Sequence, residues 1–391
     1  MKKGIFAGPA IAAVSVVVGI ASVSAITPAD IERSQNKVVP VPLNITSRAQ
    51  ALQAMLDVVD MHADSLLWQR DLLTRSDRGH VDLPRLIQGH YALQVFSSVT
   101  KSPAGQNYDA NSADSDTITG LVKFQQQPEA TWTSLLQRSL WHADKLRGFA
   151  EGSKGQLRLI RTASDVDRLL DDRHRGGTVV GGMLSIEGLH NLEGRIENLD
   201  VLYAAGFRMA GLAHFFDNDV AGSMHGIAKG GLTALGRQAV QRMEALGMIV
   251  DLAHSSHVTV AEVLAMANRP VVSSHGGVQA TCKVNRNLTD DEIRGIAKTG
   301  GVVGIGFWEG AICSTRPEAA ARAIAYVRDL VGIDHVGLGS DFDGSTTTGF
   351  DASQVVAVTQ ALLDAGFSED DIRKVMGGNV LRVIRAGLMP L

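Results

Sequence analysis

What most constrains this 391-residue chain is an alternation of patterns. Eight short β-rich runs recur, at 58–64, 91–98, 178–187, 207–214, 248–254, 270–275, 301–307 and 335–341. Between most of them lie stretches with apolar residues at i, i+3 and i+4, at 232–246, 259–267, 290–298, 318–330 and 352–363. Continuous apolar strands alternating with amphipathic helices make a parallel sheet covered on both faces. Eight such units in one chain predict a (β/α)8 TIM-like barrel rather than two average domains.

The ends of the chain read differently. Lys2 and Lys3 precede an apolar run over 4–25 that closes Val23-Ser24-Ala25. A positive start, an apolar stretch and small residues at the last and third-last positions describe a secretory signal peptide over 1–25. An uncleaved membrane anchor is the alternative, since the run approaches spanning length. The expectation is therefore an exported protein, periplasmic or secreted. Residues 26–46 read as a polar linker, and 47–391 as one barrel domain of the metallo-dependent hydrolase type. The largest insertion, 100–120, reads as a polar surface loop of the kind that can form a lid. A helix over 132–149 follows it, and one over 370–386 closes the chain. With 37 Lys+Arg against 41 Asp+Glu, the chain lacks the basic footprint of a nucleic-acid binder.

Chemistry gathers where the β-rich runs stop. The first ends His62-Ala63-Asp64, the third Glu187, the fourth His214, the fifth His254, the sixth His275 and the eighth Asp341. In this fold the active site lies at the carboxyl ends of the strands. His62 and Asp64 stand two apart and share one face of their strand. An aspartate facing a barrel interior is costly unless it is paired or bound to metal. Glu187 could bridge two ions, one through each oxygen, and His254 and His275 come from adjacent strands. Imidazole and carboxylate without thiolate suit zinc, with manganese or cobalt as alternatives. Two ions about 3.5–4 Å apart would lower the pKa of a shared water towards about 7 and make a hydroxide nucleophile. By residue type alone, Asp341 and His214 count as ligands too.

Each residue alone has a plainer reading. A lone buried histidine is more often a core residue than a ligand, and Asp64 could cap a helix. Their joint position carries the metal reading. His190 and His225 fall in loops close to these ends. His80, His90, His142, His174, His257 and His335 end no run and read as core or surface. G-x-S-x-G, P-loop and H-E-x-x-H motifs are absent from the sequence.

The motifs, taken in order, resemble the membrane dipeptidase (renal dipeptidase-like) family of zinc metallopeptidases, in a bacterial-type form. They are Asp60-Met61-His62-Ala63-Asp64, Val81-Asp82-Leu83-Pro84-Arg85, Ser185-Ile186-Glu187-Gly188, Leu212-Ala213-His214, Asp251-Leu252-Ala253-His254, Ser274-His275, Arg286-Asn287-Leu288 and Gly339-Ser340-Asp341-Phe342-Asp343-Gly344. The resemblance implies two zinc ions per chain. His62 and Asp64 would hold one, His254 and His275 the other, and Glu187 would bridge them. It gives His214 a contact with the substrate and its tetrahedral intermediate. Arg286 would pair with the C-terminal carboxylate of a small peptide, and Asp341 would shuttle the proton to the leaving amine. The chain departs from vertebrate relatives at Phe307-Trp308, where they carry a tyrosine. Another binuclear amidohydrolase, acting on cyclic amides or related C–N bonds, is the second reading. A non-catalytic peptide-binding barrel is the third. Association as a homodimer stays open.

The two cysteines, Cys282 and Cys313, follow the sixth and seventh runs, which are neighbours in a barrel. In an exported protein they can pair. Two buried free thiols are the alternative.

Overall fold

A computed structural model describes residues 26–388. The leader read over 1–25 lies outside the described residues. Eight parallel strands close into a barrel: Val58–Ala63, Tyr91–Val99, Val180–Glu187, Phe207–Gly211, Ile249–Asp251, Val272–Ser273, Val302–Ile305 and Val336–Leu338. They follow one another round the ring in chain order, and the pairing of Leu338 with Asp60 closes it. The longest ladder joins the second and third strands, from Leu93↔Gly181 to Val99↔Glu187. Every residue of the first three strands is buried on either face. That two-sided burial is why they read as continuous apolar runs instead of alternating ones.

The helices outside the ring start and stop on local signals. Thr289 opens Asp290–Lys298 with a capping box to Glu292. Gly247 ends Ala234–Leu246 in the left-handed conformation, φ 74°, and turns the chain into the fifth strand. The final helix is not one regular piece. Glu369–Arg373 and Asn379–Gly387 are joined by a π-helical turn, Lys374–Gly378. There Gly377 lies against the chain entering the first strand; a Cβ on it would stand 1.9 Å from the Asp57 carbonyl oxygen.

The structure departs from the sequence reading in four places. A short strand, Leu157–Leu159, pairs with the start of the third barrel strand; three residues are too few for any periodicity. The stretch 26–46, which reads as linker, contains a helix, Pro28–Gln35. It also contains a two-residue strand, Lys37–Val38, paired in parallel with Thr347–Thr348. Its polar composition misleads because Glu32 and Asn36 are buried against partners distant in sequence. The insertion 100–120 does not stand free of the barrel: Asn111 donates twice to the His225 carbonyl, at 2.8 and 2.9 Å. Finally, six strands end earlier than read; Asp64 lies just past the first, and His214, His254, His275 and Asp341 sit two or three residues into the following loops. At His254 and Asp341 the backbone takes positive φ, 63° and 59°, a conformation outside the strand region.

Cys282 and Cys313 form a disulfide with Cα atoms 5.4 Å apart. Among the described residues no helix is long and apolar enough to cross a membrane.

Candidate metal centre

Glu187, the last residue of the third strand, stands at the middle of the cluster. Its Oε1 lies 2.9 Å from His254 Nε2, 3.3 Å from His275 Nε2, 3.5 Å from His214 Nε2 and 3.7 Å from His62 Nε2. His62 Nε2 is also 3.3 Å from Asp64 Oδ2 and 4.0 Å from Asp341 Oδ1. All seven side chains are buried. Three overlapping groups have the spacing to hold an ion: His62, Glu187 and His275; Glu187, His214 and His254; His62, Asp64 and Asp341. Distance therefore does not separate His214 and Asp341 from the ligands. Gly188, φ 90°, lets the chain leave Glu187 sharply, since a Cβ there would stand 2.6 Å from the His190 ring.

A further layer of side chains aims these groups. The Asp60 carboxylate accepts from the Ser340 N–H at 2.8 Å, the Ser340 hydroxyl at 2.6 Å and Gln94 Nε2 at 3.0 Å, tying the first strand to the eighth. Asp251 accepts from the Ser274 N–H at 2.8 Å and its hydroxyl at 2.5 Å, and Ser274 Oγ lies 2.9 Å from His275 Nδ1. Both aspartates have a signal in the sequence: each is a charge within an apolar run, two or three positions before a histidine.

The electrostatics are those of a cation site. Burial pulls His62 down, but Asp64 and Glu187 outweigh it and hold the ring up at about 10. Burial, with Asp64 beside it, raises Glu187 well above the carboxylate range. Burial raises Asp341 to about 8 despite the opposing pull of His62. Burial also lowers His254 and His275 well below the ordinary imidazole range. Asp64 Oδ1, His62 Nδ1 and His254 Nδ1 are buried without a hydrogen-bond partner. Carboxylates and imidazoles so close, with the Asp64 Oδ1 lone pair unspent among them, fit divalent metal, and the N/O donor set suits zinc.

The remaining expected residues surround this cluster. Arg286 is buried; its Nη2 donates to the His275 carbonyl at 2.7 Å, and its guanidinium lies 5.8 Å from the Trp308 ring centre. His190 and His225 are buried nearby but join none of the ligand groups. His190 Nε2 is 2.8 Å from Thr100 Oγ1, and His225 stacks on Phe215. A cleft of about 540 Å³ opens beside the cluster, walled by Tyr108, Phe215, Trp308, Glu309 and Gly344. Tyr108 is a residue that sequence reasoning missed, because nothing marks it within a polar insertion. Its hydroxyl accepts from Trp308 Nε1 at 3.1 Å, and its carbonyl accepts from His225 Nδ1 and Asn285 Nδ2 at 2.9 and 2.8 Å.

A parallel (β/α)8 barrel with buried imidazoles and carboxylates converging at its carboxyl-terminal rim has the architecture of a metal-dependent hydrolase. A family model described as membrane dipeptidase (peptidase family M19) matches residues 46–387, and the chain belongs to that family of metallopeptidases. Among curated relatives, Dipeptidase aclJ of Aspergillus oryzae is 32% identical over 350 residues, covering 84% of this chain and 77% of that protein. Two solved structures share the fold. Dipeptidase AC, a metallopeptidase of family M19, has a TM-score of 0.71 and 25% identity, covering 85% of this chain and 99% of its own. The probable dipeptidase PvdM of Pseudomonas aeruginosa has a TM-score of 0.73 and 22% identity, covering 87% and 98%.

Proposed function

We propose that this protein is an exported binuclear zinc dipeptidase, with residues 47–391 as one catalytic barrel and 1–25 as its leader. One observation carries the reading: a single Glu187 oxygen lies within 3.7 Å of four imidazole nitrogens. In this reading His62 and Asp64 hold one ion, His254 and His275 the other, and Glu187 spans both. Bound there, zinc supplies a water acidic enough to attack near neutral pH and a Lewis-acid contact for the scissile carbonyl. The protein's own groups do the rest. Arg286 offers a planar fork of donors to the substrate's C-terminal carboxylate. His214 donates its Nδ1 proton to the Lys101 carbonyl at 3.2 Å, so Nε2 becomes a donor only when the ring carries both protons. Negative charge developing on the carbonyl oxygen favours that form, so the contact strengthens as the tetrahedral intermediate forms. Asp341 takes the proton from the attacking water and delivers it to the leaving amine.

The disulfide supports export, since such bonds persist in oxidising compartments. The deciding experiment is a stereochemically defined dipeptide panel, run with and without added zinc beside lactams and other cyclic amides. Zinc-dependent cleavage of dipeptides is expected. Cleavage of the cyclic amides alone, or of nothing, would refute the reading.

A further inference from the structure

The loop after the eighth strand carries Asp341 in an unfavourable backbone state. Asp341, Asp343 and Ser345 have φ of 59°, 64° and 60°. The left-handed region is costly for most residues with a Cβ, though least so for Asp, so three such residues within five positions need a loop that is held in place. Part of that restraint comes from the barrel. The buried Asp343 carboxylate accepts from the Ser65 hydroxyl and the His80 N–H, both at 2.6 Å, and meets the Arg70 guanidinium. Thr346 Oγ1 donates to the Asp341 carbonyl at 2.8 Å.

The barrel also holds the loop through Trp68 Nε1, which donates to the Asp343 carbonyl at 2.7 Å, and the Asp64 N–H, which donates to the Phe342 carbonyl at 2.9 Å. Further restraint comes from the segment that reads as a linker. Asn36 Oδ1 accepts the Ser345 N–H at 2.9 Å. The Lys37 N–H donates to the Thr346 carbonyl at 3.0 Å, and the Val39 N–H to the Thr348 carbonyl at 2.8 Å. Glu32, 1% exposed, lies 3.0 Å from Arg70 Nε, on the same arginine that meets Asp343. Its other oxygen accepts from Arg78 Nε at 2.7 Å. The helix that carries Glu32 is itself fixed by a capping box between Thr27 and Asp30. All of these contacts arise before residue 46, where the family match begins.

We propose that residues 27–39 form a latch that positions Asp341. Glu32 acts through Arg70 and Asp343, and Asn36 acts through Ser345. Together they hold the loop so that Asp341 faces His62. Neither residue touches the cluster, so both are positioning residues. Their effect on turnover rests on the reading of Asp341 as the proton-transfer group, whereas their effect on the loop does not.

The test uses the full protein with Asn36→Ala, Glu32→Gln, the conservative Glu32→Asp and, on the same helix, the control Arg33→Ala. Amide hydrogen exchange is followed in peptides covering 341–350 and, for comparison, the strand Tyr91–Val99. Asn36→Ala and Glu32→Gln should speed exchange in 341–350 by about tenfold or more and leave Tyr91–Val99 unchanged, a local opening rather than a global one. On dipeptides, kcat should fall about ten- to a hundredfold, the size expected of a small misplacement, with KM and bound zinc nearly unchanged. Glu32→Asp should recover part of the loss, and Arg33→Ala should match the parent protein. Unchanged exchange in 341–350, or a rise spread evenly over the chain, overturns the latch. If Glu32→Gln does not fold, Asn36→Ala decides alone, since it leaves the buried ion pairs in place. If the parent cleaves no dipeptide, the functional reading fails, while exchange in 341–350 still decides the latch.

Discussion

The Nε2 atoms of His254 and His275 lie 3.0 Å apart, and Glu187 Oε1 sits 2.9 and 3.3 Å from them. Burial keeps both rings neutral, so their lone pairs converge on a small, largely buried volume. Three acceptors facing each other need a proton or a cation between them.

Zinc binding should therefore displace protons. Without metal, His62 holds its proton up to about pH 10, because Asp64 and Glu187 outweigh its burial, and burial keeps Asp341 protonated up to about 8. At pH 7 both are protonated, and a cation must expel what it replaces. Glu187, raised well above the carboxylate range, adds to this, so loading should release one or more protons per chain, and apparent affinity should rise between pH 6 and 8. Titration calorimetry in buffers of different ionisation enthalpy measures this; a heat independent of buffer would contradict it.

Asp341→Asn should separate catalysis from metal binding. The amide cannot carry a proton from water to amine, so kcat should fall by about 10²- to 10⁴-fold. Zinc content, measured by elemental analysis, should stay at the parent value. Loss of metal would instead make Asp341 a ligand, consistent with its grouping with His62 and Asp64.

Arg286→Ala should act chiefly on substrates with a free carboxylate. A hydrogen bond to a charged group contributes about 1.5–3 kcal/mol, so kcat/KM should drop roughly ten- to a hundredfold. Dipeptide amides should lose much less. Equal losses on both substrate types would mean that the buried guanidinium serves only the loop around the His275 carbonyl.

Removing the disulfide should cost stability and loosen the cleft. Cys282 and Cys313 close a 31-residue loop. In the chain-entropy picture such a crosslink contributes about 3.7 kcal/mol. The loops it joins also carry Arg286 and Trp308, and Asn287 Nδ2 bridges them at 2.8 Å to the Cys282 and Ala311 carbonyls. The double Cys→Ser variant should melt several degrees lower by calorimetry and show a raised KM. An unchanged melting temperature would count against this.

Lys145 gives a pH signature outside the cluster. Burial, with Arg70 nearby, brings its ammonium down to about 7, and its Nζ donates to the Leu66 and Trp68 carbonyls at 2.6 and 2.8 Å. The unfolded chain holds this proton to about 10.4. Between those values the unfolded state binds more protons, so stability rises with pH from about 7 and is flat below. Lys145→Met should remove that rise. Urea midpoints at pH 7, 8 and 9 test it; parallel curves for parent and variant would refute it.

The sequence made some of this legible. A charged or imidazole group closing an apolar run has few causes, so His62, Asp64, Glu187, His214, His254, His275 and Asp341 stood out together. Asp60 and Asp251 were readable on the same ground. Tyr108, Asn36 and Glu32 were not. Each sits in a polar stretch with no pattern to mark it, and each acquires its partner from over a hundred positions away or, for Glu32, from Arg70 and Arg78.

Periodicity thus determined the barrel, and the residues closing its runs marked the candidate site at its rim, because burial pattern and strand direction are written along the chain. Tertiary structure decided the rest. It set one carboxylate oxygen against four imidazoles, closed the Cys282–Cys313 bond and folded residues 27–39 onto the loop of Asp341. Those contacts depend on how distant segments dock, and a one-dimensional pattern does not encode such distances.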